Sequence, residues 1–259
     1  MAFRHPLVLL PTYNEAENLR PLAEEILGLQ PAFRLLIVDD ASPDGTGAIA
    51  ETLAAAHPGR VEALHRPAKE GLGRAYLAAF ARALQGPADA VLQMDADFSH
   101  PPALLPKLLG ALEGFDLALG SRYVPEGGIR DWGWFRRGLS RGANAYARRA
   151  LRLPVRDLTS GLKAFRREVL EFLLAAPVDS LGYCFQIECT ARALAAGFSC
   201  AEVPFTFTER RRGVSKMSGN LIWEAFWKTW RLGRTLRRGE APEAVKGCAR
   251  LPATAKNNR

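Results

Sequence analysis

The chain has 259 residues, 48% of them hydrophobic and 24% charged, which supplies a core and excludes disordered, collagen-like and disulfide-scaffold classes. No run approaches the roughly 18 apolar residues of a bilayer span, and residues 1–10 lack the charged start and cleavage site of a secretion signal, so a cytosolic protein is expected. The formal net charge of +8 is uneven: residues 1–129 carry 10 basic and 16 acidic side chains and residues 130–259 carry 25 and 11, which suggests either a polyanionic partner for the second half or an arginine-rich composition in general.

From the N-terminus, short apolar β-prone runs alternate with longer helical patterns, the signature of a βα repeat. Leu7 to Pro11 reads as a strand, about Glu15 to Leu29 as a helix, Arg34 to Asp39 as a strand, and the stretch after Pro43 to about His57 as a helix. A strand at Val61 to His65, a helix at Gly71 to Leu84, a strand at Ala88 to Met94, a helix at Pro102 to Leu112 and a strand at Phe115 to Gly120 follow. The strands are solid apolar runs such as LLIV and AVLQM, as expected where helices cover both faces of a mostly parallel sheet, and they predict one α/β domain over residues 1–238. In the second half, Trp134 to Leu151 reads as a basic helix, Cys184 to Ala196 as an apolar one and Phe198 to Phe207 as a strand. Residues 218–238, centred on Leu221 to Arg238, read as an amphipathic tryptophan-rich helix, and residues 239–259 as a disordered tail. Cys184, Cys189, Cys200 and Cys248 lack metal-ligand spacing and are expected to be buried reduced thiols.

In open α/β sheets ligands bind beyond the carboxyl ends of the strands, and the polar clusters of this chain fall there. Gln93-Met94-Asp95-Ala96-Asp97 sets two carboxylates around one small residue, an arrangement in which Mg²⁺ or Mn²⁺ can be shared with the phosphates of a nucleotide. Helix capping would explain one of those carboxylates but not both. Pro11-Thr12-Tyr13-Asn14-Glu15 and Asp39-Asp40-Ala41-Ser42-Pro43-Asp44-Gly45-Thr46 end two other strands, with a ring that can stack on a base and carboxylates that can accept its N–H groups. The second of these is also a turn that starts a helix. Glu209 to Lys216 is either a phosphate-gripping loop or a solvated charge run. In the last helix Glu224, Lys228, Arg231, Thr235 and Arg238 form a narrow polar stripe flanked by Trp223, Trp227 and Trp230, a pattern that suits either core packing or a bilayer interface.

PTYNE, VDDASPDGT, EGLGRA, MDADFSHPP, GSRY, D-x-T-S-G and F-x-x-R-x-x-G-x-S-K occur in the order, and at about the spacing, found in polyprenol-phosphate mannosyltransferases, also called dolichol-phosphate mannose synthases. Over residues 5 to about 235 the chain resembles these inverting family 2 glycosyltransferases of GT-A fold. The resemblance implies nucleotide contacts at Pro11, Tyr13, Glu15, Val38 and Asp40, and metal and diphosphate contacts at Asp95, Ala96 and Asp97. Ser99 stands where some relatives carry a metal-binding Gln and ranks below the two aspartates. Arg122, Arg136, Ser140, Arg210 and Lys216 match positions that hold diphosphate or acceptor phosphate, and Cys184 stands where some relatives have Lys. Asp97, Arg122, Arg136 and Arg210 would then be the residues on which catalysis rests.

The implied reaction carries mannose from GDP-mannose to a polyprenyl phosphate with inversion, assisted by Mg²⁺ or Mn²⁺. It implies a peripheral protein on the cytoplasmic face of a membrane, bound directly or through a membrane-protein partner. UDP-glucose as donor and a non-catalytic sugar-nucleotide or lipid-phosphate binding subunit are the rival readings. Nucleic acid is not an expected partner, because the basic residues adjoin apolar, tryptophan-rich sequence and match no nucleic-acid module.

Overall fold

The computed structural model describes residues 3–178, 180, 182, 184–208, 219–238 and 249–250, without the side chains of 219–225, 237–238 and 249–250. The first half follows the expected repeat. It comprises β1 (Pro6–Thr12), α1 (Ala16–Leu27), β2 (Arg34–Asp39), α2 (Thr46–Ala56), β3 (Val61–His65), α3 (Leu72–Leu84) and β4 (Ala90–Gln93). A 3₁₀ turn at Pro102–Leu104 precedes α4 (Leu105–Ala111), so the helix expected from Pro102 starts later. Prolines at 102 and 106 lack the amide that would continue α-helical bonding backwards. Then come β5 (Leu117–Ser121), β6 (Gly128–Ile129), α5 (Trp134–Leu151), β7 (Lys163–Arg166), α6 (Arg167–Leu174), α7 (Cys184–Ala195), β8 (Cys200–Pro204), β9 (Thr206–Phe207), α8 (Gly219–Arg238) and β10 (Ala249–Arg250).

Among the described residues the main sheet has the order β10-β8-β5-β7-β4-β1-β2-β3, with β6 and β9 as a separate parallel pair. Alternate residues of β1 serve opposite faces, as strand geometry requires. Leu7 and Leu9 join α3, α6 and α7, while Val8 and Leu10 join α1, α2 and α4. The sheet is therefore buried on both sides, which is why its strands read as unbroken apolar runs. The chain runs outward from β1 through β2 to β3 and returns to β4 on the other side of β1, which makes the β1/β4 boundary a topological switch point.

Two departures from the sequence expectations shape the site. β7, which the sequence did not announce, lies antiparallel between β4 and β5. Because it runs backwards, its beginning rather than its end meets the carboxyl edge of its neighbours, and the preceding Asp157–Gly161 segment is delivered there. The single strand expected over Phe198 to Phe207 breaks after Pro204, which pairs with Ser121, and Thr206–Phe207 passes to β6. Ala249–Arg250, inside the stretch expected to be a disordered tail, pairs with β8, and the rest of residues 239–259 lies outside the described residues.

Candidate active site

β1, β2 and β4 are neighbours, and the pairs Pro11 with Val38, Thr12 with Asp39 and Leu9 with Gln93 align their carboxyl ends. Each of the three loops that leave them holds a non-glycine residue in the left-handed region: Asn14 at φ 60°, Ala41 at 58° and Phe98 at 62°. Asn tolerates this geometry, but Ala and Phe store on the order of 1 kcal/mol each. That strain sits where the backbone must turn polar groups into one crevice.

On the nucleotide side, Lys69 Nζ lies 3.5 Å from the centroid of the Tyr13 ring, so a cation occupies one face of the ring expected to stack on a base. Asp40 is buried and pairs with Arg66, which also reaches Glu70. Asp39 is engaged locally, accepting from the Ser42 hydroxyl at 2.5 Å and the Ser42 amide at 3.2 Å. Val38 is fully buried and offers its carbonyl, which accepts from Thr12 Oγ1 at 3.3 Å. Glu15 accepts from Asn18 Nδ2 at 2.8 Å. Asp44 accepts from the Thr46 hydroxyl and amide and from the Ala16 amide, tying the starts of α1 and α2 together. Burial raises the Asp44 pKa, but the Thr46 and Ala16 hydrogen bonds outweigh it and leave the carboxyl below its usual value.

The acidic pair follows β4. The Asp95 side chain is 37% exposed, while Ala96 and Asp97 are buried. The loop folds back on itself: Asp97 Oδ1 accepts the Ser99 amide at 3.0 Å, and His100 Nδ1 accepts the Asp95 amide at 3.1 Å. Burial lowers the His100 pKa against the opposing charges of Asp95 and Asp97, so the ring is neutral and its Nδ1 is engaged by the loop. Ser99 is buried alongside. A Cβ at Gly161 would lie 3.4 Å from both Asp95 carboxylate oxygens and 3.3 Å from His100 Cε1, so glycine there keeps the space beside Asp95 open. Among the described residues no cluster of three or more His, Cys, Asp or Glu could hold a metal. The donor set that fits is thus two carboxylates completed by substrate oxygens and water, the usual arrangement for Mg²⁺.

Beneath this loop runs a buried polar network. Gln93 Nε2 donates to the Gly161 carbonyl at 3.0 Å and to Gln186 Oε1 at 2.6 Å, and Lys163 Nζ donates to the Gln186 carbonyl at 2.6 Å and Thr190 Oγ1 at 2.8 Å. Desolvation pushes the Lys163 pKa down to about 8, partly countered by Cys189, Cys200 and Asp157. The network braces Gly161 against β4 and α7.

On the basic side, Arg122 follows β5 and is clamped by Asp157. Its Nε and Nη2 reach the two Asp157 oxygens at 2.7 Å each, its amide donates to Asp157 Oδ2 at 3.0 Å, and Nη2 also donates to Thr159 Oγ1 at 2.7 Å. Burial disfavours the Arg122 charge, but Asp157 outweighs this and holds the pKa above its usual value. Glu202 of β8 in turn accepts the amides of Arg156 and Asp157 and the Ser121 hydroxyl. An aromatic wall joins the acidic pair to the cations: His100 meets Phe207 edge-on at 6.1 Å, Trp132 meets Phe207 at 5.3 Å, and the Arg136 guanidinium lies 4.0 Å from the Trp132 ring centroid. Ser140 accepts from Tyr123 Oη at 2.7 Å, one residue beyond Arg122.

The fold therefore gathers Pro11, Tyr13, Asp40, Asp95, Asp97, Arg122, Arg136 and Ser140 around the carboxyl edge. Cys184 is buried at the start of α7, and Cys184, Cys189 and Cys200 are buried reduced thiols outside any disulfide among the described residues, as expected. Arg210, Lys216 and Cys248 lie outside the described residues. Sequence reasoning missed the Asp157 clamp, Glu202, and the Gln93, Gln186 and Lys163 network. Asp157 was visible as the first residue of D-x-T-S-G, and Lys163 as a lone cation in the apolar run GLKAF.

Residues 7–174 match glycosyl transferase family 2. A polyprenol monophosphomannose synthase from Mycolicibacterium smegmatis is 52% identical over 93% of this chain and 91% of its own length. An undecaprenyl-phosphate mannosyltransferase from Micrococcus luteus is 42% identical over 89% and 95%, and a dolichol-phosphate mannosyltransferase from Pyrococcus furiosus is 37% identical over 92% and 66%. The crystal structure of glucosyl-3-phosphoglycerate synthase from Mycobacterium tuberculosis with Mn²⁺, UDP and glucosyl-3-phosphoglycerate superposes with a TM-score of 0.62. At 21% identity, covering 90% of this chain and 80% of that one, it is similar in fold.

Proposed function

This chain belongs to glycosyl transferase family 2, and from that membership we propose that it transfers mannose from GDP-mannose to a polyprenyl phosphate with inversion, giving polyprenyl phosphomannose. The observation that carries the reading is a carboxylate pair, Asp95 exposed and Asp97 buried beside it, and a row of arginines joined to it by one aromatic wall, a crevice suited to two phosphate-bearing substrates. The lipid character of the acceptor is supported by the names of the relatives.

In this reading Tyr13, Asp40 and the backbone at Pro11 and Val38 receive the nucleoside, and Lys69 leaves the Tyr13 ring when the base arrives. A divalent cation, Mg²⁺ or Mn²⁺, would be held by Asp95 and Asp97, with Ser99 a weaker candidate, and supplies charge neutralisation for the departing diphosphate. Arg136 and Ser140 bind the acceptor phosphate, Arg122 is aimed by Asp157, and Arg210 and Lys216 belong to the same anionic surface. No strong base is needed. A phosphate monoester with a second pKa near about 6 is already largely dianionic at neutral pH, so catalysis consists of positioning and charge compensation. Asp157 and Glu202, the buried carboxylates behind Arg122, are occupied as hydrogen-bond acceptors.

Because the acceptor is a lipid, we take the protein to work peripherally at the cytoplasmic face of a membrane. No helix among the described residues is long and apolar enough to cross one. Trp134 and Phe135 at the start of α5 are 85% and 70% exposed, and Trp227 and Trp230 of α8 are 57% and 40% exposed, a distribution that suits an interfacial face.

The deciding experiment incubates the full chain with a short-chain polyprenyl phosphate, Mg²⁺ or Mn²⁺, and GDP-mannose or UDP-glucose in parallel, and measures nucleotide release and glycolipid. The reading expects GDP release with a mannosylated lipid that stops on chelation. Turnover with UDP-glucose alone would overturn the donor assignment, and turnover with neither would overturn the reaction.

A further inference from the structure

The main chain that presents Asp95 and Asp97 does not hold itself. Phe98, immediately after Asp97, sits at φ 62°, where its Cβ crowds the following carbonyl, and such a geometry persists only where the surroundings impose it. The residues that follow impose it. Ser99 turns its amide to Asp97 Oδ1 at 3.0 Å, and His100 reaches back across the loop, its Nδ1 accepting the Asp95 amide at 3.1 Å. A ring nitrogen that accepts carries no proton, so this contact also fixes the tautomer, with the proton on Nε2.

The ring is held by segments far away in the chain. His100 is 3% exposed, meets Phe205 edge-on with centroids 5.7 Å apart and Phe207 at 6.1 Å, and has Gly161 against it, where a Cβ would stand 3.3 Å from Cε1. Phe205 follows β8, Phe207 lies in β9 and Gly161 precedes β7, so the imidazole is wedged in one orientation. Nδ1 lies 3.9 Å from Asp95 Oδ2, beyond hydrogen-bonding distance. The ring therefore acts on the Asp95 main chain and does not tie up its carboxylate. Two carboxylates that flank one residue meet a single cation only if the main chain between them is fixed, and contacts that orient ligands in this way set metal affinity without touching the metal.

We propose that His100 is a positioning residue, which fixes the Asp95 main chain so that Asp95 and Asp97 converge on the divalent cation. The proposal rests on the reading of those two aspartates as the metal-holding pair.

The test titrates Mn²⁺ into the full chain with saturating GDP and separately with saturating UDP, and follows the free ion by electron paramagnetic resonance. His100→Leu keeps the bulk and removes the acceptor, and it should weaken Mn²⁺ binding roughly ten-fold. The Mn²⁺ concentration for half-maximal transfer should rise by about as much, with turnover at saturating metal nearly preserved. Binding of the same nucleotide without metal should stay within about two-fold of the parent. His100→Asn places an oxygen close to the position of Nδ1 and should recover the Mn²⁺ affinity to within about three-fold. His100→Gln carries its amide one bond farther out, should resemble His100→Leu, and takes its place if that variant does not fold. Parent-like Mn²⁺ affinity in His100→Leu or His100→Gln, a loss that His100→Asn does not recover, or an equal loss of metal-free nucleotide would overturn the role of His100 and leave the aspartate assignment standing. A parent that binds no Mn²⁺ with either nucleotide overturns both.

Discussion

Asp97 and Asp157 are both buried aspartates near the crevice, yet their surroundings assign them different duties. Asp97 accepts the Ser99 amide through Oδ1, and Asn preserves an oxygen there. Asp97→Asn should therefore abolish sugar transfer while the melting temperature stays within a few degrees. Asp157 is fully buried and holds the Arg122 guanidinium with both oxygens, so Asp157→Asn leaves a buried cation poorly paired, at a cost of about 3–5 kcal/mol. Urea melts of the two variants beside an activity assay separate these roles. Lys163 offers a different test. Its folded-state pKa of about 8 lies below the ordinary lysine value of 10.5, so the unfolded chain binds the extra proton between those limits and the penalty for the buried charge is full below about 8. Lys163→Met should accordingly be the more stable protein at pH 7.5, and its advantage should shrink by about 3 kcal/mol as pH rises to about 10.5. An advantage that did not change with pH would mean that Lys163 titrates alike in the folded and unfolded chain, so that its burial does not shift its pKa.

At the scale of elements, the pairing of α5 with α8 depends on a close approach. Tyr146 stacks on Phe226 with centroids 4.3 Å apart, Tyr146 Oη donates to the Phe226 carbonyl, and a Cβ at Gly233 would come within 2.6 Å of the Ala150 carbonyl oxygen. Backbone cannot yield as a flexible side chain can, so Gly233→Ala must push the helices apart. Overpacking of this kind costs about 1–3 kcal/mol and exceeds the gain of up to about 1 kcal/mol in helix propensity. Gly142 of α5, with nothing within 4 Å of its would-be Cβ, is the control. Gly142→Ala should stabilise by up to about 1 kcal/mol, whereas Gly233→Ala should destabilise and speed proteolytic cleavage within α8. The tryptophan pattern of α8 read equally as core packing or as a bilayer interface because the helix has a buried side and an exposed one: Thr229 and Gly233 are buried toward its neighbours, while Trp227 and Trp230 are exposed. Trp223 and Glu224 carry no described side chains.

For the whole molecule, the proposed bilayer contact rests on the aromatic side chains exposed on α5 and α8. Replacing Trp134, Phe135, Trp227 and Trp230 by Ser should release the protein from anionic vesicles in a sedimentation assay. Little stability should be lost, since exposed side chains contribute far less than the roughly 3 kcal/mol of a buried one. Unchanged sedimentation of the folded variant would remove the membrane role from both helices.

The alternation of apolar strands and amphipathic helices, and the polar clusters at strand ends, were legible in the sequence because they are local: periodicity and turn chemistry act over a few residues. β2, β3 and α5 match their expected limits residue for residue. The Asp95 and Asp97 pair and the PTYNE and VDDAS loops were equally plain. What only the tertiary structure decided was where distant segments meet. β7 is four residues long and contains Lys163, so no pattern marked it, yet its antiparallel insertion between β4 and β5 carries Asp157 to Arg122 and Gly161 to Asp95. The partners of a buried charge are separated by up to dozens of residues in the chain and become neighbours through packing alone.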